Sequence, residues 1–187
     1  MLIYTRSGDD GTTGLYFGGR VPKDSDRPIA YGEVDEAQAF IGLARSLSIP
    51  GSDLDHLLIQ CERDLWVLMA ELATDSANRH KLLESKSVVS AEMVTALEDG
   101  IDAVMESLDL PKEFVVPGGS PLSAQLDVAR TVVRRAERAA LAVAEQGSYV
   151  GQYLNRLSDL LWALARQADA TNLTAKDASL SSSKEHS

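Results

Sequence analysis

Apolar residues recur along this chain in alternating steps of three and four, in five separate stretches. Val34, Ala37, Ile41 and Ala44 form the first seam, and Leu54, Leu58, Cys61, Leu65, Leu68 and Leu72 the second. Val94, Leu97, Ile101, Val104 and Leu108 form the third. Leu122, Leu126, Ala129, Val133, Ala136, Ala140 and Val143 form the fourth, and Leu154, Leu157, Leu161, Leu164 and Ala168 the fifth. Such steps return side chains to one helix face. The spacing predicts helices over 28–48, 52–76, 90–109, 121–146 and 149–170. Ser52, Ser90 and Ser120 stand where N-caps belong, the last followed by a proline at the first helical position. Pro50-Gly51, Pro117-Gly118-Gly119 and Gly147-Ser148 punctuate the intervals. The predicted fold is all-α, a five-helix antiparallel bundle. Residues 1–170 are expected to form a single domain, with the bundle over 28–170. Thr171 to Ser187 has no seam and is expected to be a disordered tail.

The stretch ahead of the first seam is different in kind. Met1 to Lys23 holds Gly8, Gly11, Gly14, Gly18 and Gly19, the hydroxyls of Thr5, Ser7, Thr12 and Thr13, and the cations Arg6, Arg20 and Lys23. Glycine lets a backbone approach a ligand and point N–H groups at it, while hydroxyls and cations add donors and charge. That is what a polyphosphate clamp needs. A flexible N-terminal arm has the same composition, and the residues alone leave both open.

Charge and cysteine content narrow the class. The net charge of −10 over 187 residues argues against general nucleic-acid binding, although a local basic pocket remains compatible with it. The single cysteine, Cys61, allows no intramolecular disulfide, and on a seam it reads as a buried apolar residue. No signal-peptide pattern opens the sequence and no apolar run is long enough to cross a bilayer. A soluble, cytoplasmic protein with no membrane contact is expected.

Four constellations could carry chemistry. On the fourth predicted helix lie Asp127, Arg130, Arg134, Arg135, Glu137 and Arg138, with three arginines spaced four apart on one face. They read equally as a solvated basic stripe or as an interface drawn to a polyanion. On the first helix, Glu33, Asp35 and Glu36 lie among Gly32 and Gly42, which mark either close approach or plain packing. Phe114 sits in the loop Lys112–Pro121, either capping the bundle or facing a large planar ligand. Asn155, Arg156 and Asp159 lie off the fifth seam. There is no HExxH, no paired Glu-x-x-His, no CxxC and no GxxxxGK[ST], so zinc, di-iron and P-loop readings are weak.

Four segments together resemble the PduO-type ATP:cob(I)alamin adenosyltransferases over almost the whole folded length. They are YTRSGDDGTTGL from Tyr4, GGRVPKD with YGEVDE between Gly18 and Glu36, FVVPGG with VARTVVRRAER between Phe114 and Arg138, and YLNRLSDLLWALAR from Tyr153. The resemblance implies a five-helix homotrimer with active sites between subunits. It implies transfer of the 5′-deoxyadenosyl group of ATP to the cobalt of cob(I)alamin, with release of triphosphate. Residues 1–27 would then be the nucleotide-binding segment. Thr5, Arg6, Ser7, Gly8 and Thr13 would wrap the triphosphate, Lys23 would pair its charge, and Mg2+ would accompany it. Arg134, Arg135, Glu137, Arg138 and Asn155 would line the ATP pocket. Arg138, Arg134 and Asp35 would act in catalysis, Asp35 pairing with Arg134 across the subunit boundary. Phe114 would lie beneath the corrin and exclude the lower axial ligand. A flavin reductase and an adenosylcobalamin-dependent mutase would be partners. The alternative is a non-catalytic ATP/cobalamin carrier or sensor. The chain departs from the family at three places. VDEAQAF lacks the usual Leu-Asn pair, Asp127 stands where a histidine is common, and Pro22 replaces a frequent serine.

Overall fold

All five seams fold as helices in the computed structural model, which describes residues 4–109, 113–169 and 173–176. Among these residues the helices are α1 (Asp26–Arg45), α2 (Asp53–Leu72), α3 (Arg79–Ser85), α4 (Ala91–Glu106), α5 (Pro121–Ala140) and α6 (Val150–Ala168). The expected count of five therefore becomes six. The extra helix, α3, is seven residues long and buries only Leu82, too little to leave a seam. The glycine-rich segment is also structured. Strands β1 (Thr12–Gly14) and β2 (Arg20–Pro22) pair antiparallel with Thr13 opposite Val21.

The three serine caps act as their positions predict. Each hydroxyl accepts a backbone N–H three residues on: Ser52 from Asp55 at 3.2 Å, Ser90 from Met93 at 3.4 Å and Ser120 from Ser123 at 3.0 Å. α2 and α5 end earlier than predicted. At the end of α2 the Thr74 hydroxyl turns back to Ala70 O at 2.7 Å. Past Ala140, turns donated by Val143 N and Ala144 N to Ala140 O keep Val143 against the core, so the fourth seam outlasts its helix.

Small side chains set the packing. Ala30, Ala37 and Ala44 on α1 and Ala129, Ala136 and Ala140 on α5 are fully buried, which lets the two helices approach closely. α5 packs most extensively against α1 and α6, and α4 leans on α6. Gly42 admits α2: an added Cβ would lie 3.1 Å from Glu62 Oε1, whereas Gly32 meets nothing within 4 Å.

Cross-links fix the direction of each helix. Arg135, near the end of α5, pairs with Glu33 and Glu36 in the second and third turns of α1, and Arg27 at the start of α1 reaches Glu145 past the end of α5, so these helices are antiparallel. Arg156 meets Glu98, and Gln167 meets Ser107, so α4 and α6 run parallel. The start of α1 and the ends of α2 and α5 thus meet at one end of the bundle. There Arg27 donates to Leu72 O at 3.0 Å, to Ser76 Oγ at 3.3 Å and to Glu145 Oε1 at 3.1 Å. Tyr16 N donates to Ala73 O at 3.0 Å and pins the hairpin to this end. Glu71, only 5% exposed, accepts from Arg79 Nη1 at 2.9 Å, Ser148 Oγ at 2.7 Å and Val89 N at 2.9 Å. One carboxylate thereby joins α2, α3, the lead into α4 and the lead into α6.

At the opposite end lies the loop before α5. Val116 N donates to Leu173 O at 2.7 Å, Ala175 N to Phe114 O at 2.9 Å, and Val115 bridges to Thr174. The expected disorder from Thr171 therefore needs revision over Leu173–Lys176, which are placed against this loop; residues 171–172 and 177–187 lie outside the described residues. Among the described residues no helix is long and apolar enough to cross a membrane.

Candidate functional site

The hairpin is braced from within by side chains of its own. Asp10 Oδ1 accepts from the Thr12 amide at 2.9 Å and its hydroxyl at 2.8 Å. These two bonds, with Arg20 behind them, hold the Asp10 carboxyl below its usual range. Arg20 Nε donates to Thr12 Oγ1 at 2.9 Å, and its guanidinium reaches the carbonyl of Ser7. Lys23 N donates to Gly11 O at 2.9 Å, which closes the loop onto β2.

This brace brings the predicted clamp residues together. A Cβ added at Gly8 would lie 3.1 Å from Lys23 Nζ and 3.2 Å from Thr12 O. The bare glycine is what lets the ammonium lie against the backbone at this point. Thr5 Oγ1 and Ser7 Oγ are 2.7 Å apart beside it. Arg6 between them takes a left-handed backbone, φ +59°, and its guanidinium lies 5.6 Å from the Tyr4 ring centroid. A non-glycine in that region signals a backbone held by its surroundings. Thr13 lies in β1, opposite Val21. The result is an exposed cation with hydroxyls and a tightly turned backbone around it. That arrangement can receive a polyphosphate.

The α5 residues divide. Arg134 and Arg138 are exposed, and Arg138 Nη1 donates to Arg134 O at 3.0 Å. Arg135, expected in the ATP pocket, has its guanidinium engaged by Glu33 and Glu36 within the same chain. Asn155 Nδ2 donates to Glu137 Oε1 at 3.3 Å, and Asn155 Oδ1 accepts from Arg156 at 2.6 Å. Glu137 and Asn155 are therefore brought together across α5 and α6. Asp35 is exposed and makes no ion pair with Arg134 in the single chain. Phe114 is 91% exposed, the most open large apolar side chain described. It belongs to the end away from the hairpin, and the α5 helix between them is about 30 Å long at 1.5 Å per residue.

Several functional-looking residues have little sequence signal. Arg20 is legible only as one cation among three, although the Asp-x-Thr turn beside it is a known backbone-bracing pattern. Arg166 is 2% exposed and donates to Asp127, which also accepts from Arg130 Nε at 3.1 Å. Asp127, read as one charge on the arginine stripe, thus serves a buried arginine. A pocket of about 340 Å³ opens beside it, lined by Pro117, Gly118, Ala124, Val128, Arg130 and Thr131. Cys61 is buried, its thiol pushed up to about 12 mainly by desolvation, as a core residue would be. Among the described residues no group of three or more His, Cys, Asp or Glu could hold a metal.

The family profile described as cobalamin adenosyltransferase matches residues 3–168. The corrinoid adenosyltransferase of Mycobacterium tuberculosis (strain H37Rv) is 46% identical over 172 residues, 89% of this chain and 88% of that protein. The corrinoid adenosyltransferase of Bacillus subtilis (strain 168) is 40% identical over 177 residues, 91% of this chain and 88% of that one. Among solved structures, a variant of the PduO-type ATP:corrinoid adenosyltransferase of Lactobacillus reuteri, complexed with cobalamin and ATP, superposes with a TM-score of 0.78. Its sequence identity is 32%, over 90% of this chain and 91% of that one. With the match running from the N-terminal hairpin to the end of α6, this chain belongs to the cobalamin adenosyltransferase family.

Proposed function

We infer that this chain transfers the 5′-deoxyadenosyl group of ATP to the cobalt of cob(I)alamin, giving adenosylcobalamin and triphosphate. The observation that carries this reading is the hairpin, where Lys23 lies against Gly8 beside the hydroxyls of Thr5 and Ser7. Cobalt(I) supplies both electrons of the new Co–C bond, and the C5′–O bond breaks with its pair leaving on triphosphate. The substrate is the nucleophile, so the protein needs no general base; its task is orientation and charge stabilisation. Lys23, Arg6 and the Ser7–Gly8 backbone bind the triphosphate, and Arg138 and Arg134 offset the charge that develops on it. Glu137 and Asn155, already paired at 3.3 Å, form a polar wall for the nucleoside. Mg2+ travels with the triphosphate. It would offset part of the triphosphate charge when bound.

The chain acts as a homotrimer of about 60 kDa, with each active site between two subunits. The separation of Phe114 from the hairpin supports this, since one chain cannot bring both to one cobalt. Asp35 and Arg134, both exposed, would meet across that boundary. Phe114 lies against the lower face of the corrin and displaces the axial ligand, which makes cob(II)alamin easier to reduce. A flavin reductase supplies the electron and an adenosylcobalamin-dependent mutase consumes the product, in the cytoplasm.

The test is anaerobic turnover. Purified protein with ATP, Mg2+ and chemically generated cob(I)alamin should form adenosylcobalamin and inorganic triphosphate in equal amounts. Arg138→Ala should lower kcat by about 100-fold or more, as loss of a donor aimed at developing charge does. Tight binding of both substrates with no product would establish the carrier reading instead.

A further inference from the structure

The loop that bears Phe114 rests on a buried ion network. Its two glycines serve different needs. Gly118 takes a left-handed backbone, φ +106°, with open space around it. Gly119 lies directly on the Asp169 carboxylate: an added Cβ would overlap Asp169 Oδ1 and lie 3.0 Å from its Cγ. The Asp169 side chain is 1% exposed and its Oδ2 is 3.3 Å from Arg166 Nη2. Neither Asp169 oxygen accepts a hydrogen bond among the described residues. The same Arg166 nitrogen also donates to Asp127, the position where the resemblance expects a histidine. Beside this contact, Ser120 Oγ donates to Ala168 O at 3.0 Å.

A buried carboxylate without hydrogen bonds is costly and is retained only where its surroundings hold it. Here Arg166 holds it, and the backbone of the Phe114 loop at Gly119 lies close against it. The carboxylate therefore acts as a steric stop. Toward α6 the loop can move no closer than the Asp169 oxygens allow, and its pairing with Leu173–Ala175 keeps it from moving away.

We propose that Asp169, held in place by Arg166 and Asp127, is a positioning residue that sets the height of the Phe114 loop and thereby the number of ligands on cobalt. The proposal rests on the cobalamin role given to Phe114 above. Gly119→Ala forces the loop off the stop. Asp169→Ala removes the stop. Asp169→Asn keeps its shape, because the contact with Gly119 is one of volume.

The experiment is electron paramagnetic resonance of full-length protein with cob(II)alamin and ATP, which separates four- from five-coordinate cobalt. Gly119→Ala and Asp169→Ala should each lower the four-coordinate fraction at least about twofold, and kcat about tenfold or more, since a displacement near 1 Å can cost on the order of 100-fold. KM for ATP should stay within about twofold in both, because neither residue is among those assigned to the nucleotide. Asp169→Asn should match the parent. Gly119→Ala combined with Asp169→Ala should recover part of the signal, because the overlap is gone. Phe114→Ala, run in parallel, should abolish the four-coordinate signal. If it does and Gly119→Ala is parent-like, the positioning role is wrong while the Phe114 role stands. If Phe114→Ala is itself parent-like, both fall. Should Gly119→Ala not fold, the Asp169 pair decides: equal signals from Asp169→Ala and Asp169→Asn overturn the proposal.

Discussion

Glu71→Gln is the most informative single change in the scaffold. The carboxylate serves three donors: Arg79 Nη1 and Ser148 Oγ on one oxygen, and Val89 N on the other. A glutamine keeps one oxygen, which can serve the first two or the third but not all three. Its amide nitrogen then faces a donor. Leaving the Val89 N–H without an acceptor costs about 1–3 kcal/mol. The two surviving bonds lose charge assistance, about 1 kcal/mol between them once the partial exposure of Arg79 is allowed for. The sum is about 3 kcal/mol, and Glu71→Ala should cost about 4 kcal/mol, in the range for breaking a buried pair. For a chain of this length 1 kcal/mol moves Tm by about 2–4 °C, so the glutamine variant should melt about 6–12 °C lower. Circular dichroism melts at one fixed protein concentration are the assay, because assembly would otherwise shift Tm. A drop smaller than about 1 kcal/mol, the scale of ordinary surface substitutions, would refute the view that this carboxylate ties four segments together.

Lys23→Ala should raise the Kd for ATP by about 10-fold or more, as loss of a charge-assisted contact does, and leave the helical signal intact; isothermal titration reads the first and circular dichroism the second, and unchanged affinity would reduce the hairpin to an arm. Asp64 accepts from Gln60 and Tyr153, yet burial raises its carboxyl above the usual range. Its folded form therefore holds a proton that the unfolded chain has released, so this group's contribution falls as pH rises from the unfolded value through the raised one. Asp64→Asn should accordingly gain stability relative to the parent at neutral pH and lose that advantage below pH about 4 in urea titrations; a gain independent of pH would show that the group's charge is not the cause.

How much of this was legible in the sequence depends on where each stabilising contact originates. The five long helices were legible because each carries its own apolar period, and three of them a capping serine at the start. The hairpin was not legible as strands. Its two strands are three residues each, too short for alternation, and Arg20 reaches across from β2 to hold the turn. Likewise, Leu173–Ala175 pair through backbone groups that leave no mark on side-chain pattern. Arg166 reads as the polar end of a leucine-rich helix. Asp127, distant in sequence, and Asp169 together make its burial tolerable. The clamp residues are proposed through segments resembling the family, whereas the saturation of Arg135 by Glu33 and Glu36 depends on helix packing that no local motif encodes.

The length of α5 has a genetic consequence. If, as proposed, the catalytic centres lie at subunit boundaries, each chain would own half of two centres and the whole of none. A chain crippled at the hairpin still lends a sound Phe114 to a neighbour, and a chain crippled at Phe114 still lends a sound hairpin. In a closed ring containing both kinds, one boundary always joins the two intact halves. Co-expressed defective copies should therefore complement one another, and two different loss-of-function alleles should be milder together than either is alone.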